Sequence, residues 1–172
     1  MKIRPASPAD FPSVLALNEE SVQFLSPLTA ERLLQLHEQA ALHQVVEDEG
    51  QVVAFLLAFR DGARYDSVNY QWFASRYASF LYIDRVVVSQ RLQAKGAGSA
   101  LYRQAFAFAA TAGMPLLTCE FDVEPPNPIS ERFHARFGFH EVGRQLVANG
   151  KKVVSLQAAP VPSKDARAAG PA

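Results

Sequence analysis

The chain has 172 residues, and Lys plus Arg equal Asp plus Glu at 17 each. That length suits one domain with a substantial core, and the balanced charge excludes the strong overall field that draws a protein to nucleic acid or to an anionic membrane. A single cysteine, Cys119, excludes an internal disulfide and a cysteine-built zinc site.

Lys2 to Arg4 reads as a short first strand. Ser7-Pro8-Ala9-Asp10 starts a helix with an acid three residues after the cap, and Val14, Leu15, Leu17 and Val22 keep helical spacing. Pro27 breaks that pattern, and Thr29 caps a second helix with Leu33, Leu34 and Leu36 on its apolar face. Leu42 to Asp48, the turn Glu49-Gly50 and Gln51 to Arg60 predict a β-hairpin, whose almost wholly apolar second arm suits a central strand covered on both faces. His37 and His43 lack a carboxylate at metal spacing and read as surface residues, so no metal site is expected.

Asp61 to Ala78 mixes turn formers with Tyr65, Tyr70, Trp72 and Phe73, too polar for core and too aromatic for an idle linker. A strand at Phe80 to Val88 follows, then a helical pattern from Ser99 to Ala112 and a strand at Pro115 to Phe121. Asp122-Val123-Glu124-Pro125-Pro126 reads as a rigid loop. Asn127-Pro128 starts a helix that stops at Phe137-Gly138. Phe139 to Val147, a turn at Ala148 to Lys151, and Lys152 to Gln157 form a closing hairpin. The elements predict an α/β (α+β) fold, with a mixed, mostly antiparallel sheet of about six or seven strands flanked by helices. A single domain spans residues 1–157, and the Ala- and Pro-rich residues 158–172 form a disordered tail.

The segment Gln93-Ala94-Lys95-Gly96-Ala97-Gly98 lies between a strand and a helix. A glycine-rich turn opening a helix aims unpaired backbone N–H groups outward at the positive end of the helix dipole, which makes a phosphate cradle. The spacing is neither G-x-x-x-x-G-K-[ST] nor G-x-G-x-x-G, so a nucleoside-triphosphate loop and a dinucleotide fold are both excluded. Cys119, inside an apolar run, reads as an inert buried thiol; the alternative is a nucleophile paired with His134. No stretch reaches the roughly 18 apolar residues of a membrane span, and Met1 to Pro5 lacks the apolar core of a signal peptide, so a cytoplasmic location is expected.

Two stretches, Val88 to Tyr102 and Asn127 to Phe139, resemble the GNAT superfamily of acetyl-CoA-dependent N-acetyltransferases. Gln93, Gly96 and Gly98 fill the defined positions of its pyrophosphate signature, Q/R-x-x-G-x-G/A. The resemblance implies that the backbone at Val86, Val87 and Val88 pairs with the pantetheine arm of acetyl-CoA. It implies that Gln93, Ala94, Lys95, Gly96, Ala97, Gly98 and Ser99 hold the pyrophosphate, with Asn127 touching the pantetheine as well as capping its helix. The acceptor implied is a primary amine of a small molecule or peptide, and pairing through the closing hairpin implies a possible homodimer.

Acetyl transfer to an amine needs a base, a polarised thioester carbonyl and a proton for the thiolate. Glu120 stands where a glutamate is the base in the family's ribosomal-protein acetyltransferases; Asp84, two residues from Tyr82 on one strand face, is the alternative, with Tyr82 on the cleft wall. His134 occupies the position of the family's tyrosine acid, as a proton donor or as a packed helix residue. Tyr65, Tyr70, Trp72 and Phe73 are candidates for the acceptor wall. The absent tyrosine keeps open a second reading, an acyl-CoA-binding regulatory module without turnover.

Overall fold

The computed structural model describes residues 1–93 and 95–162. In chain order the elements are β1 (Lys2–Pro5), α1 (Phe11–Glu20), α2 (Ala30–Gln39), β2 (Leu42–Asp48), β3 (Gln51–Arg60), α3 (Val68–Ala74), β4 (Leu81–Val88), α4 (Ala97–Thr111), β5 (Leu116–Glu124), α5 (Pro128–Ala135), β6 (His140–Val147) and β7 (Lys152–Pro160). The strands form one sheet in the order β1-β2-β3-β4-β5-β7-β6. It is mostly antiparallel, with β4 and β5 parallel at Leu81↔Leu117 and Tyr82↔Thr118, so the expected mixed sheet flanked by helices is the fold observed. No helix among the described residues is long and apolar enough to cross a membrane. The chain divides into two compact units, one of Met1–Arg64 with Ile83–Ala105, the other of Tyr65–Tyr82 with Phe106 onward.

In the first unit the hairpin of β2 and β3 forms as its sequence predicts, with Val45 opposite Phe55. Glu49 and Gly50 have φ of 50° and 77°, the left-handed corners that a two-residue hairpin turn requires. Val45 and Phe55 pack with Val14, Leu17, Leu33 and Val87 into one apolar cluster. Ser7 starts the helical region as expected: its backbone N–H donates to Asp10 Oδ2 at 2.8 Å. Arg4 grips both oxygens of Asp10 at 2.8 Å, which holds that carboxyl well below the usual range.

His43 departs from its expected surface position and is buried. It shares a face of β2 with the core residue Val45, and strand alternation carries both inward. Its Nδ1 lies 2.8 Å from Nδ1 of His37, so one imidazole donates to the other, and the rings of Phe11 and Phe55 stand 6.4 Å away.

In the second unit β5 runs to Glu124, past the loop expected from Asp122 onward. Its partner β7 supplies the ladder, with Asp122 opposite Val154 and Glu124 opposite Val153 across a bulge. Lys152 Nζ also meets Asp122 Oδ2 at 2.8 Å. The boundary at Gln157 moves for the same reason: Ala158 and Ala159 are buried and pair with Thr118 and Leu117, so β7 continues to Pro160. Of the expected tail, residues 163–172 lie outside the described residues, as does Ala94. Residues 61–78 are not merely peripheral either. Ser67 caps α3 by accepting from the Tyr70 N–H, and Tyr70 and Phe73, three apart on one helical face, are buried against Phe80 and Tyr82.

Burial pushes the His43 imidazole down from 6.5 to about 4, with His37 adding to the shift. The folded value lies below the unfolded one, so the neutral ring's contribution is present above pH 6.5 and is lost as pH falls toward 4. Thermal melts are expected to show about 2 kcal/mol of this loss between pH 7.5 and pH 5. In His43→Phe that part of the pH dependence disappears; an unchanged slope would show that His43 does not cause it.

Candidate active site

The glycine turn of the first unit is built by its own backbone. The N–H of Ser89 donates to the Val53 carbonyl at 2.9 Å and fixes the exit of β4. Gln90–Leu92 makes one tight helical turn, with Leu92 buried as its anchor, and the N–H of Lys95 returns to the Leu92 carbonyl at 3.2 Å. Gly96 then takes φ +87°, a conformation that side-chain-bearing residues rarely adopt. Its carbonyl accepts the first bond of α4, from Ala100 N at 2.9 Å.

The first amides of α4 have no intrahelical acceptor and stand at the positive end of its dipole. Gln93, Lys95 and Gly96 are exposed, Gly98 and Ser99 half-buried. A Cβ built on Gly96 would meet nothing within 4 Å, so the space over the turn is open. These residues fit a phosphate group. Val86, Val87 and Val88 are the last three residues of β4.

The second unit brings together two of the expected catalytic residues. Tyr82 and Thr118 are neighbours in the parallel ladder, and alternation along β5 places Glu120 on the face of Thr118. The Tyr82 hydroxyl donates to Glu120 Oε1 at 2.9 Å. Tyr82 is 0% exposed, enclosed by Tyr65, Tyr70 and Phe73 at ring distances of 6.4, 5.6 and 5.9 Å. Glu120 is half-buried as a residue, and its Oε2 is buried. Of the four candidates for an acceptor wall, Tyr65, Tyr70 and Phe73 are buried around Tyr82 and only Trp72 is half-exposed.

The other two candidates stand elsewhere. Asp84 Oδ2 pairs with Arg85 Nε at 2.6 Å, both side chains nearly sealed, and Arg85 also donates to Asn18 Oδ1 at 2.9 Å. That carboxylate holds an ion pair. His134 is buried on α5 with its ring stacked on Phe121 at 5.5 Å and edge-on to Phe139 at 5.3 Å. Phe121 follows Glu120 in β5, so His134 packs on the face opposite Glu120. Its Nδ1 is 2.7 Å from the Ser130 carbonyl and donates to it, and burial pushes the ring down to about 4. The imidazole is neutral at physiological pH, and its one proton is committed to the backbone.

Asn127 caps α5 as expected, its Oδ1 accepting from Ser130 N at 3.2 Å. Cys119 is buried and its thiol pushed up by desolvation, the inert reading. Three features have no local sequence signal. Thr118 Oγ1, beside Tyr82, is buried with no partner among the described residues. On the Phe121 face, a cleft of about 240 Å³ contains Ser155, which donates to Glu141 and accepts from Gln157 at 2.6 Å. Trp72 lies against Gly143 of β6, a contact between residues remote in sequence.

The strand, glycine turn and helix, set in this mixed sheet, are the frame of an acetyltransferase fold. The chain belongs to the GNAT acetyltransferase family: the model of the Acetyltransferase (GNAT) family matches residues 11–139. No curated protein sequence matches it significantly. Among solved structures it is similar to Naa20 of Chaetomium thermophilum in complex with a bisubstrate analogue, at 17% identity and TM-score 0.77, over 97% of this chain and 90% of that one. Ard1 from Thermoplasma volcanium is similar at 21% identity and TM-score 0.75, over 94% and 98%. The ribosomal-protein-S18-alanine N-acetyltransferase of Escherichia coli is similar at 14% identity and TM-score 0.70, over 93% of each chain. At these identities the likeness is one of fold.

If His134 is a packing residue, His134→Phe retains at least half the acetyltransferase kcat of the wild type at pH 7 to 8. A loss of 100-fold or more in a variant with an unchanged melting temperature would make it a proton carrier.

Proposed function

We propose that the protein is an N-acetyltransferase that moves an acetyl group from acetyl-CoA directly to a primary amine of a small molecule or peptide. The observation that carries this reading is the left-handed Gly96 just before α4, with open space where a side chain would stand. Amides of Gly96, Ala97, Gly98 and Ser99 would hold the pyrophosphate, with Gln93 and Lys95 beside them; any side chain at Gly98 would compete for that space. The backbone of Val86 to Val88 would pair with the pantetheine arm, and Asn127 would add a polar contact.

The bound donor supplies an activated thioester carbonyl. Glu120 takes the proton from the incoming amine, directly or through one water, and Tyr82 fixes the carboxylate by its hydrogen bond at 2.9 Å. Asp84 holds Arg85 and does not serve as base. A thiolate leaves without a dedicated acid, because thiols of ordinary acidity, with a pKa near 8.5, are good leaving groups. The neutral, buried His134 therefore has no required chemical step.

That same histidine favours a second reading, a GNAT-fold module that binds acyl-CoA without turnover. Thiol release from acetyl-CoA across a panel of amines separates the two. Turnover that falls about 100-fold or more in Glu120→Gln supports the enzyme; no turnover with any amine, alongside intact acetyl-CoA binding, supports the module. Gly98→Glu is expected to abolish acetyl-CoA binding, measured by calorimetry, with the circular dichroism spectrum unchanged. Unaltered binding in that variant would remove the site assignment.

A further inference from the structure

The cleft on the Phe121 face has polar residues where a sheet covered by a helix is ordinarily apolar. Ser155 and Gln157 are 1% and 6% exposed, and both line it. They stand opposite Phe121 and Cys119 in the ladder of β5 and β7, on the side of the sheet away from Leu156 and Glu120. A β-bulge completes the arrangement. Residues three apart in a regular strand point to opposite faces, yet Glu141 stands opposite Gln157, Gly143 opposite Leu156 and Arg144 opposite Ser155, with Val142 taken up by the bulge. Glu141 and Arg144 therefore reach the same cleft from β6, and Glu131 reaches it from α5.

The hydrogen bonds fix which atoms the cleft presents. The Ser155 hydroxyl has one proton and gives it to Glu141. Its oxygen must then accept from Gln157, which orients the carboxamide with Nε2 toward Ser155, at 2.6 Å. The carbonyl Oε1 of Gln157 is turned away from Ser155 and has no protein partner among the described residues. Ser155, and then Arg144 at 3.1 Å, hold the Glu141 carboxyl below its usual range, so it is ionised at neutral pH. Glu131 is exposed at the rim. The lining offers two carboxylates against one guanidinium, with the amide carbonyl as a third acceptor, beside apolar walls at Phe121, Val123 and Phe139.

We propose that this cleft is a binding site for a small organic cation, a primary ammonium on a short alkyl chain, separate from Glu120. An ammonium group has three N–H donors, one each for Gln157 Oε1, Glu141 and Glu131. It neutralises the one excess negative charge, and its chain lies on Phe121 and Phe139. At about 240 Å³ the cleft suits a molecule below drug size. The site is on the far face of β5 from Glu120, so it holds its ligand whether or not the protein turns over acetyl-CoA.

The test titrates n-butylammonium chloride into the full-length protein without acetyl-CoA and follows amide resonances by NMR, with sodium butyrate, an anion of similar size, as control. Saturable shifts are expected at Phe121, Ser155 and the Gln157 side-chain amide, with a Kd on the order of 1 mM for so small a ligand. Butyrate is expected to bind at least tenfold more weakly. Gln157→Leu, which removes the carbonyl at similar volume, and Glu131→Gln, on the exposed side of α5, are each expected to weaken binding at least fivefold, and Glu120→Gln to leave it within twofold. Glu131→Gln decides the matter alone if Gln157→Leu does not fold. No saturable shift with n-butylammonium overturns the site, and so does tighter binding of butyrate. Binding preserved in the folded Gln157→Leu and Glu131→Gln variants overturns it as well; its loss in Glu120→Gln would place the amine on the other face.

Discussion

A phenol sealed from water must give its proton to an acceptor, and Tyr82 gives it to Glu120. A buried hydroxyl left unpaired costs about 1–3 kcal/mol. The core of the second unit therefore depends on the carboxylate of a half-buried residue, whose Oε2 is itself buried. The parallel pairing of Tyr82 with Thr118 sets which residue can answer. A slip of one residue would bring Phe121 to that face and leave the hydroxyl against a ring. Packing and chemistry share one bond, and the three aromatic neighbours of Tyr82 hold it in place.

Alternation along β5 divides the work of the sheet. Glu120 points to the face covered by α3, and Phe121 to the face covered by α5. On the first face the carboxylate accepts the Tyr82 proton. On the second, His134 is surrounded by Phe121, Phe133 and Phe139, and its Nδ1 is spoken for by the Ser130 carbonyl. An ionised ring there would carry a charge into an apolar layer, so burial holds it neutral. The two residues that a sequence reading pairs as base and acid thus belong to opposite sides of one strand.

What the sequence discloses and what it hides follow from the range of the interactions involved. The hairpin of β2 and β3, the glycine turn before α4 and the Asn127 cap are local, set by turn chemistry and helix capping within a few residues, and all were legible. The pattern of β2 also contained the burial of His43, since it shares a face with Val45. The far ends of β5 and β7 were not legible, because Asp122 to Glu124 and Ala158 to Pro160 look like loop until each finds the other as ladder partner. The core role of Tyr70 and Phe73 was hidden by the polar residues between them. The meeting of Trp72 with Gly143 joins positions 71 apart in sequence, and nothing local in either announces it. Of the candidate site, the glycine turn, Glu120 and Tyr82 were named from the sequence, Tyr82 beside Asp84; that Tyr82 instead bonds Glu120, that Asp84 is bound up with Arg85, and His134 with aromatic rings, required the fold.

The ion pair of Asp84 and Arg85 has a bearing on how this protein can change. Both side chains are nearly sealed, and the guanidinium also reaches Asn18. Losing either charge alone leaves the other buried without its ion-pair partner, at about 3–5 kcal/mol, whereas exchanging both for neutral groups of similar volume costs less. Single replacements at these positions are therefore dead ends, and the viable route passes through two substitutions at once. Lineages that differ here should differ at both positions together, so the pair behaves as one inherited character although it is written in two codons.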